Sequence, residues 1–553
     1  MMTIPVEPGW LTLLPPLVAI VFALIFREVV VSLFIGIWLG ALLLNDWNPL
    51  EASLRSFDQF IVGATAGDAD KISIIVFSLM LGGMVGIISR SGGTRGIVEA
   101  LRPLATSPRR GLFFTWLAGI MIFFDDYANT LIVGNTMRPV TDRLRVSREK
   151  LSYIVDSTAA PVAAIAVIST WVGFEISLIG DSLQNAATQT TDPAMRAELL
   201  GANPFSVFLH SIPYLFYPIL AVTFVVLTVI TGRDFGPMLG AERRARTTGE
   251  LLRPGATPAA DVSGGVLEPD PGTPHRWQFA GIPVLIVIAA ALAGIIATGV
   301  AGLEGAPPTV RNIVGGADPF RTLIWASAAG VATALIMAVA ARVLTLQHGI
   351  EAMVNGMRAM FMAIVILVLA WGLGDVTEAL NTGGYLAAQI SDTLPIFTLP
   401  VLVFGIAALI SFATGTSWGT MSILFPVVIP LAVAMGAAVS FDGGEHYSIL
   451  LGVISSVMAG SIFGDHCSPI SDTTIMSSMA SGADHIDHVR TQLPYALTVA
   501  AIGMVVGDIP TSFGLNPFIS LPLGVIALVV VLRLVGRKVE DGEMVTASSA
   551  TKP

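Results

Sequence analysis

The sequence predicts an all-α polytopic membrane protein of about 11 transmembrane helices plus two re-entrant hairpins, arranged as an inverted-topology repeat. Three observations carry that reading: a shortage of charge, a recurrence of apolar stretches near spanning length, and basic loops on both sides of one such stretch. Charged side chains make up 12% of 553 residues, where a soluble chain carries about 25%. With 54% hydrophobic residues, an ordinary soluble enzyme, a nucleic-acid binder and a disordered scaffold are excluded together. The expected partner is a lipid bilayer, with no nucleic acid. The single cysteine, Cys467, excludes an internal disulfide and a cysteine-built metal site.

The spans are expected from Trp10 to Phe26, Val29 to Leu44, Ile72 to Ile88, Leu151 to Leu178, Phe205 to Ile230, Phe279 to Val300, Leu323 to Ala341, Met360 to Leu373, Ile449 to Phe463, Tyr495 to Val506 and Phe518 to Val535. Two further apolar stretches, 111–137 and 396–436, read as hairpins. The first is bracketed by Arg90, Arg95, Arg102, Arg109 and Arg110 on one side and by Arg138, Arg143, Arg145, Arg148 and Lys150 on the other. Basic loops stay cytoplasmic, so this stretch enters and leaves from one face.

The same rule places the acidic connection with Asp46, Glu51, Asp58, Asp68 and Asp70 outside, and the arginine-rich centre of the chain inside. Residues 1–231 then form a first repeat of three spans, a hairpin and two spans, and 278–511 a second of the same order from the opposite face. Between them, 232–277 is rich in Pro, Gly, Ala and Thr and reads as a flexible cytoplasmic linker; 512–553 holds an extra helix and a disordered tail. The N-terminus is expected outside and the C-terminus inside.

Polar residues interrupt this pattern at four places: FFDDYANTLIVGNTMRP (Phe123 to Pro139), YIVDSTAAPVAAIAVIST (Tyr153 to Thr170), FATGTSWGTMSILFP (Phe412 to Pro426) and SIFGDHCSPISDTTIMSS (Ser461 to Ser478). Each half thus has a hairpin with a polar tip, then a helix broken by small and polar residues at a proline, Pro161 or Pro469. A carboxylate at the bilayer centre costs about 2.5–3.5 kcal/mol, so it persists when paired, hydrated or functional. Asp125, Asp126, Asp156, Asp465 and Asp472 are therefore candidate cation and proton sites, with Asn129, Ser157, Thr158 and Thr473 beside them. Prolines that break a helix free hard backbone oxygens suited to Na⁺, and Asp156, Thr158, Asp465 and Ser468 are the expected Na⁺ ligands. Thr130, Thr416, Ser417 and Thr420 at the hairpin tips supply further contacts, and His466 is a candidate proton relay. A carboxylate that holds either Na⁺ or H⁺ suffices for exchange, because one occupant excludes the other.

Structural roles compete with these. For the tip aspartates the competing role is a helix cap or a pair with Arg138; Glu175 reads as interfacial, Cys467 as a packing residue, and Gly36 with Gly40 and Gly82 with Gly86 as close helix contacts.

Those four motif segments, together with the opening GWLTLLPPLVAIVFALIFREVVVSLFIGIWLGAL, resemble the NhaC family of Na⁺/H⁺ antiporters, within the ion transporter superfamily. The resemblance covers most of the chain outside the linker and tail. It implies a secondary transporter that works by elevator-like alternating access, forms a homodimer, sits in a bacterial or archaeal cytoplasmic membrane and carries no resident cofactor, Na⁺ and H⁺ being the transported or coupling ions. Some members of that family exchange small organic acids of the malate and lactate type, or amino acids, and this is the alternative cargo. No basic residue lies deep in any expected span, which disfavours an anionic solute. A membrane hydrolase is disfavoured too, since no nucleophile, base and orienting group share a useful spacing.

Overall fold

The computed structural model describes residues 9–26, 28–66, 69–258, 269, 272–303, 307–309, 312–313, 316–390, 394–437 and 446–539. Asp68 and the tail beyond residue 539 lie outside them. The chain is helical nearly throughout. Among the described residues nine helices are long and apolar enough to cross a membrane, and the pair Pro204–Tyr214 and Phe216–Thr231, bent by 47°, is long and apolar enough only when taken together. Trp10–Phe26 and Val29–Leu44 are shorter apolar helices. The nine include both arms of the second hairpin, Ile396–Thr414 and Ser417–Ala434.

The first hairpin consists of Pro108–Met121 and Asp126–Arg143. Both tips are closed by the same device. Asp125 is extended (φ −157°, ψ 127°) and its carboxylate accepts from the Ala128 N–H at 2.7 Å; Thr416 is extended (φ −146°, ψ 122°) and its hydroxyl accepts from the Gly419 N–H at 3.3 Å. Each satisfies a backbone donor that the first turn of a helix leaves free. Gly415 precedes the second cap at φ +69°, and a Cβ there would stand 2.8 Å from the Ile470 carbonyl oxygen, so glycine is required by both conformation and space.

One expected span is corrected by a second break: the interruption expected at Pro161 is present, and another follows at 166–171. The stretch from Leu151 to Leu178 is three helices, Arg148–Ser157, Ala160–Ile165 and Val172–Gln189. Pro161 brings no N–H to continue the first helix, Ala159 leaves helical space (φ −86°, ψ −101°), and the Ser169 hydroxyl donates to the Ala163 carbonyl at 2.7 Å to fix the turn that follows. The helix Tyr447–Cys467 ends the same way: Ser468, ahead of Pro469, is extended (ψ 129°), and Ser471 caps a new helix, Asp472–Ser481.

The expected flexible linker is also corrected over the residues described. Arg233–Asp234 pairs antiparallel with Arg537–Lys538 near the C-terminus, and Gly236–Thr248 is a helix. Arg244 pairs with Glu149 at 2.8 Å and Arg253 with Asp487 at 3.0 Å, while the Thr257 N–H donates to Asp484 at 2.9 Å. Ion pairs and hydrogen bonds to other elements dock a segment whose composition has no apolar period to reveal it.

Small residues set the closest helix approach. A Cβ on Gly86 would lie 2.2 Å from the Ala352 carbonyl oxygen and one on Gly40 2.0 Å from Val376 Cγ1. The helices Ala69–Arg90 and Leu346–Ala359 therefore meet backbone to backbone at Gly86 and Gly356.

Candidate functional site

The predicted polar residues fall into three neighbouring groups. The first ties the opening hairpin to the broken helix. Asn129 donates its side-chain amide to the carbonyls of Gly119 (2.7 Å) and Thr158 (2.7 Å), and more weakly to Ile122 (3.3 Å), so one buried side chain holds both hairpin arms and the helix break. Its Oδ1 has no partner. Thr130 and Thr158 donate back to their own helices, at Asp126 and Ile154.

The second group surrounds Asp156. Its carboxylate accepts from the hydroxyls of Thr474 and Ser477, each at 3.1 Å, and from the Gln492 amide at 2.7 Å. Gln492 also donates to the His466 carbonyl, and His488 Nε2 donates to Gln492 Oε1 at 2.9 Å. Both neighbours of the Gln492 nitrogen are acceptors only, which fixes the amide orientation. His466 lies between the Tyr217 hydroxyl (2.6 Å) and the Ser157 hydroxyl (3.1 Å), with Asp156 at 3.8 Å.

The third group opens into a cavity of about 370 Å³, bounded by both hairpin tips, the break after Cys467, and the starts of Val29–Leu44 and Phe361–Ala379. Asp126, Asp465, Asp472, Thr473, Thr416 and Ser417 line it, as do Glu28, Tyr127, Trp171 and Trp418. Tyr127 donates its hydroxyl to Asp472. Asp465 is only 2% exposed; its Oδ2 is 3.4 Å from the Thr473 hydroxyl and its Oδ1 has no partner.

Asp125 and Thr420 are not among the cavity's lining residues: Asp125 caps its helix, and Thr420 donates to the Thr416 carbonyl. The four expected Na⁺ ligands have separate engagements. Asp156 accepts from three donors, Thr158 bonds within its own helix, Ser468 donates to the Phe412 carbonyl at 2.7 Å, and among the described residues Asp465 has a carboxylate oxygen without a partner.

Sequence reading missed Glu28, Gln492, His488, Ser477 and Tyr217. His488 and Gln492 stand one helical turn apart in the polar first half of the helix His485–Ile502, and that spacing was the available signal. Glu28 fell in the gap between two spans and gave no signal. Glu175, expected at an interface, is fully buried, and neither carboxylate oxygen has a partner. Two buried lysines lie away from the cavity: Lys71 pairs with Asp181 at 3.1 Å and Lys150 with Asp234 at 2.7 Å.

Comparison with known proteins agrees with this architecture. The model of the Na⁺/H⁺ antiporter family matches residues 167–507, more than half of the chain. An uncharacterized protein of Haemophilus influenzae is 32% identical over 94% of this chain and 94% of its own. The malate-2H⁺/Na⁺-lactate antiporter of Bacillus subtilis is 31% identical over 29% of this chain and 31% of its own. Among solved structures, the YdaH transporter of Alcanivorax borkumensis superposes with a TM-score of 0.55 over 84% of this chain and 90% of that one, at 18% identity, a likeness of fold.

Proposed function

This chain belongs to the Na⁺/H⁺ antiporter family, a multi-pass membrane transporter, and from that premise we propose that it exchanges Na⁺ for H⁺ by elevator-like alternating access. The observation that carries the reading is the meeting of Asp126, from the first hairpin, with Asp465, 339 residues later, at one cavity where Asp465 Oδ1 is buried without a partner. A buried anionic oxygen with no donor is costly, and a bound cation or proton relieves it. Asn129 Oδ1, in the hairpin that carries Asp126, is a second acceptor without a partner among the described residues. Asp156, held by three donors, serves as the linked acid that positions the broken helix. The moving body is the pair of hairpins with their broken helices; the helices Ala69–Arg90, Gln278–Ala301, Pro319–Ala340 and Leu346–Ala359 would be the frame.

 The bilayer orientation with the N-terminus outside and the C-terminus inside, a bacterial or archaeal cytoplasmic membrane, and assembly as a homodimer belong to the same reading; the arginine-rich loops around the first hairpin support the orientation.

The organic-acid alternative has less support, because none of the described residues that line the cavity is Lys, Arg or His. The test is purified protein in liposomes with a trapped pH dye and an imposed pH gradient, challenged in turn with Na⁺, Li⁺ and K⁺. Na⁺ is expected to shift lumenal pH, and Asp465→Asn to abolish the shift while leaving a monodisperse, folded protein. A lumen that ignores Na⁺ and Li⁺, or full exchange by Asp465→Asn, overturns the reading.

A further inference from the structure

The cavity between the hairpin tips is much larger than a metal ion needs. One water takes about 30 Å³ of liquid, so 370 Å³ is roughly ten times that and falls in the range of sites for small organic molecules. Its charge is one-sided. Glu28, Asp126, Asp465 and Asp472 line it, with no basic side chain among the described lining residues. Six helices begin at its wall, at Val29, Asp126, Val172, Phe361, Ser417 and Asp472, and each contributes roughly half a positive charge. Asp126 and Asp472 stand in the first turns of two of these helices and offset them. With Glu28 and Asp465 added, the four carboxylates still outweigh six helix ends of about half a charge each, and the balance is acidic.

An acidic cluster alone would not define a ligand. The independent observation is Asp465 Oδ1, buried and without a hydrogen-bond partner among the described residues, on a residue that lines the cavity. The aromatic wall adds chemistry that a bare metal ion does not require. Trp171 and Trp418 pack edge to face with ring centres 5.6 Å apart, and Tyr127 lines the same space. Aromatic faces beside carboxylates attract a cation that also has an apolar body.

We infer that this cavity accepts an organic ammonium ion, a small solute with one cationic nitrogen and an apolar body, as a cargo exchanged against H⁺. The inference rests on reading the Asp126 and Asp465 cavity as the transport site. The nitrogen is held by the carboxylates and the body lies against the tryptophans, so the solute and Na⁺ compete for the same acids.

The experiment uses the full chain in liposomes with a trapped pH dye, and choline and benzyltrimethylammonium as probes. Both are permanently charged and do not cross lipid as free bases. Each is expected to shift lumenal pH and to suppress the Na⁺ response as its concentration rises. Trp418→Leu is expected to raise the half-maximal concentration of benzyltrimethylammonium about 10-fold, and Trp418→Phe, which keeps a ring, to stay within about 3-fold of the parent. The competition measured on the parent protein stands if Trp418→Leu does not fold. Na⁺ exchange with neither ammonium transport nor competition overturns this inference and leaves the proposed function intact. Transport of malate or lactate in place of the ammonium probes overturns the solute class. A lumen that answers to neither Na⁺ nor ammonium overturns both readings.

Discussion

The Gln492 amide donates to the Asp156 carboxylate at 2.7 Å, joining side chains 336 positions apart in the chain. The same nitrogen donates to the His466 carbonyl, so one side chain holds the acid of the first broken helix against the end of the helix that carries Asp465. Gln492→Leu should therefore disconnect the two breaks. A hydrogen bond to a charged group contributes about 1.5–3 kcal/mol, and a loss of that size is expected in the thermal stability of the purified protein, with slower exchange. Gln492→Glu places a second acid against Asp156 and should be worse than Leu near neutral pH. Melting curves and liposome exchange rates of both variants check this; parent-like values in both exclude a role for the contact.

Lys150 is almost fully buried. Its Nζ pairs with Asp234 at 2.7 Å, donates to the Thr228 hydroxyl at 2.9 Å, and stands 5.3 Å from the ring centres of Tyr153 and Tyr495. Lys150→Met leaves Asp234 buried with only the Tyr495 hydroxyl as a side-chain donor, and breaking one side of such a pair costs about 3–5 kcal/mol. Lys150→Met with Asp234→Asn should recover part of that loss, since no uncompensated charge then remains. Detergent-solubilised melting temperatures of the single and double variants decide it.

Gly86→Ala would drive a methyl group into the Ala352 carbonyl oxygen, 2.2 Å away, where two backbones meet and neither side chain can yield. Overpacking of this kind costs about 1–3 kcal/mol. A lower melting temperature is expected, whereas Gly240→Ala, at a position with nothing within 4 Å, should be neutral or stabilising. Size-exclusion profiles after graded heating compare the two.

Asp484 anchors the docked central segment. Burial pushes its carboxyl up, but hydrogen bonds from the backbone N–H groups of Thr257, Asp487 and Ile486 and from the Thr257 hydroxyl outweigh burial and hold it below the ordinary carboxylate value. A depressed folded value means that the contribution is complete above the unfolded value and is lost as pH falls through the folded one. Stability should therefore drop below about pH 4, and Asp484→Asn, which keeps a cap but not the charge, should flatten that part of the profile. Melting temperature against pH, from 6 down to 3, is the measurement.

Local chemistry made part of the site legible. Asp126, Asp465 and Asp472 were visible because a carboxylate in an apolar run is expensive, and they do line one cavity. Thr416 and Ser417 were visible as polar residues at a hairpin tip. Of the expected Na⁺ ligands, Thr158 and Ser468 donate their hydroxyl protons to carbonyls close to the helix breaks, which leaves their oxygen lone pairs available to a cation. Glu28 sits in a gap between spans and was invisible, whereas Gln492 was marked only by its spacing from His488, and that polar face shows its purpose only when Asp156 is placed against it.

The sequence by itself determined the solvent, since apolar runs and scarce charge admit only a bilayer, and it determined where the backbone bends, since Pro161, Pro469 and Gly415 act on their immediate neighbours. Only the tertiary structure decided which acids share a cavity, which one keeps an unpartnered oxygen, and that the proline-rich centre docks. Those outcomes depend on distances between residues hundreds of positions apart, and no local period or propensity encodes them.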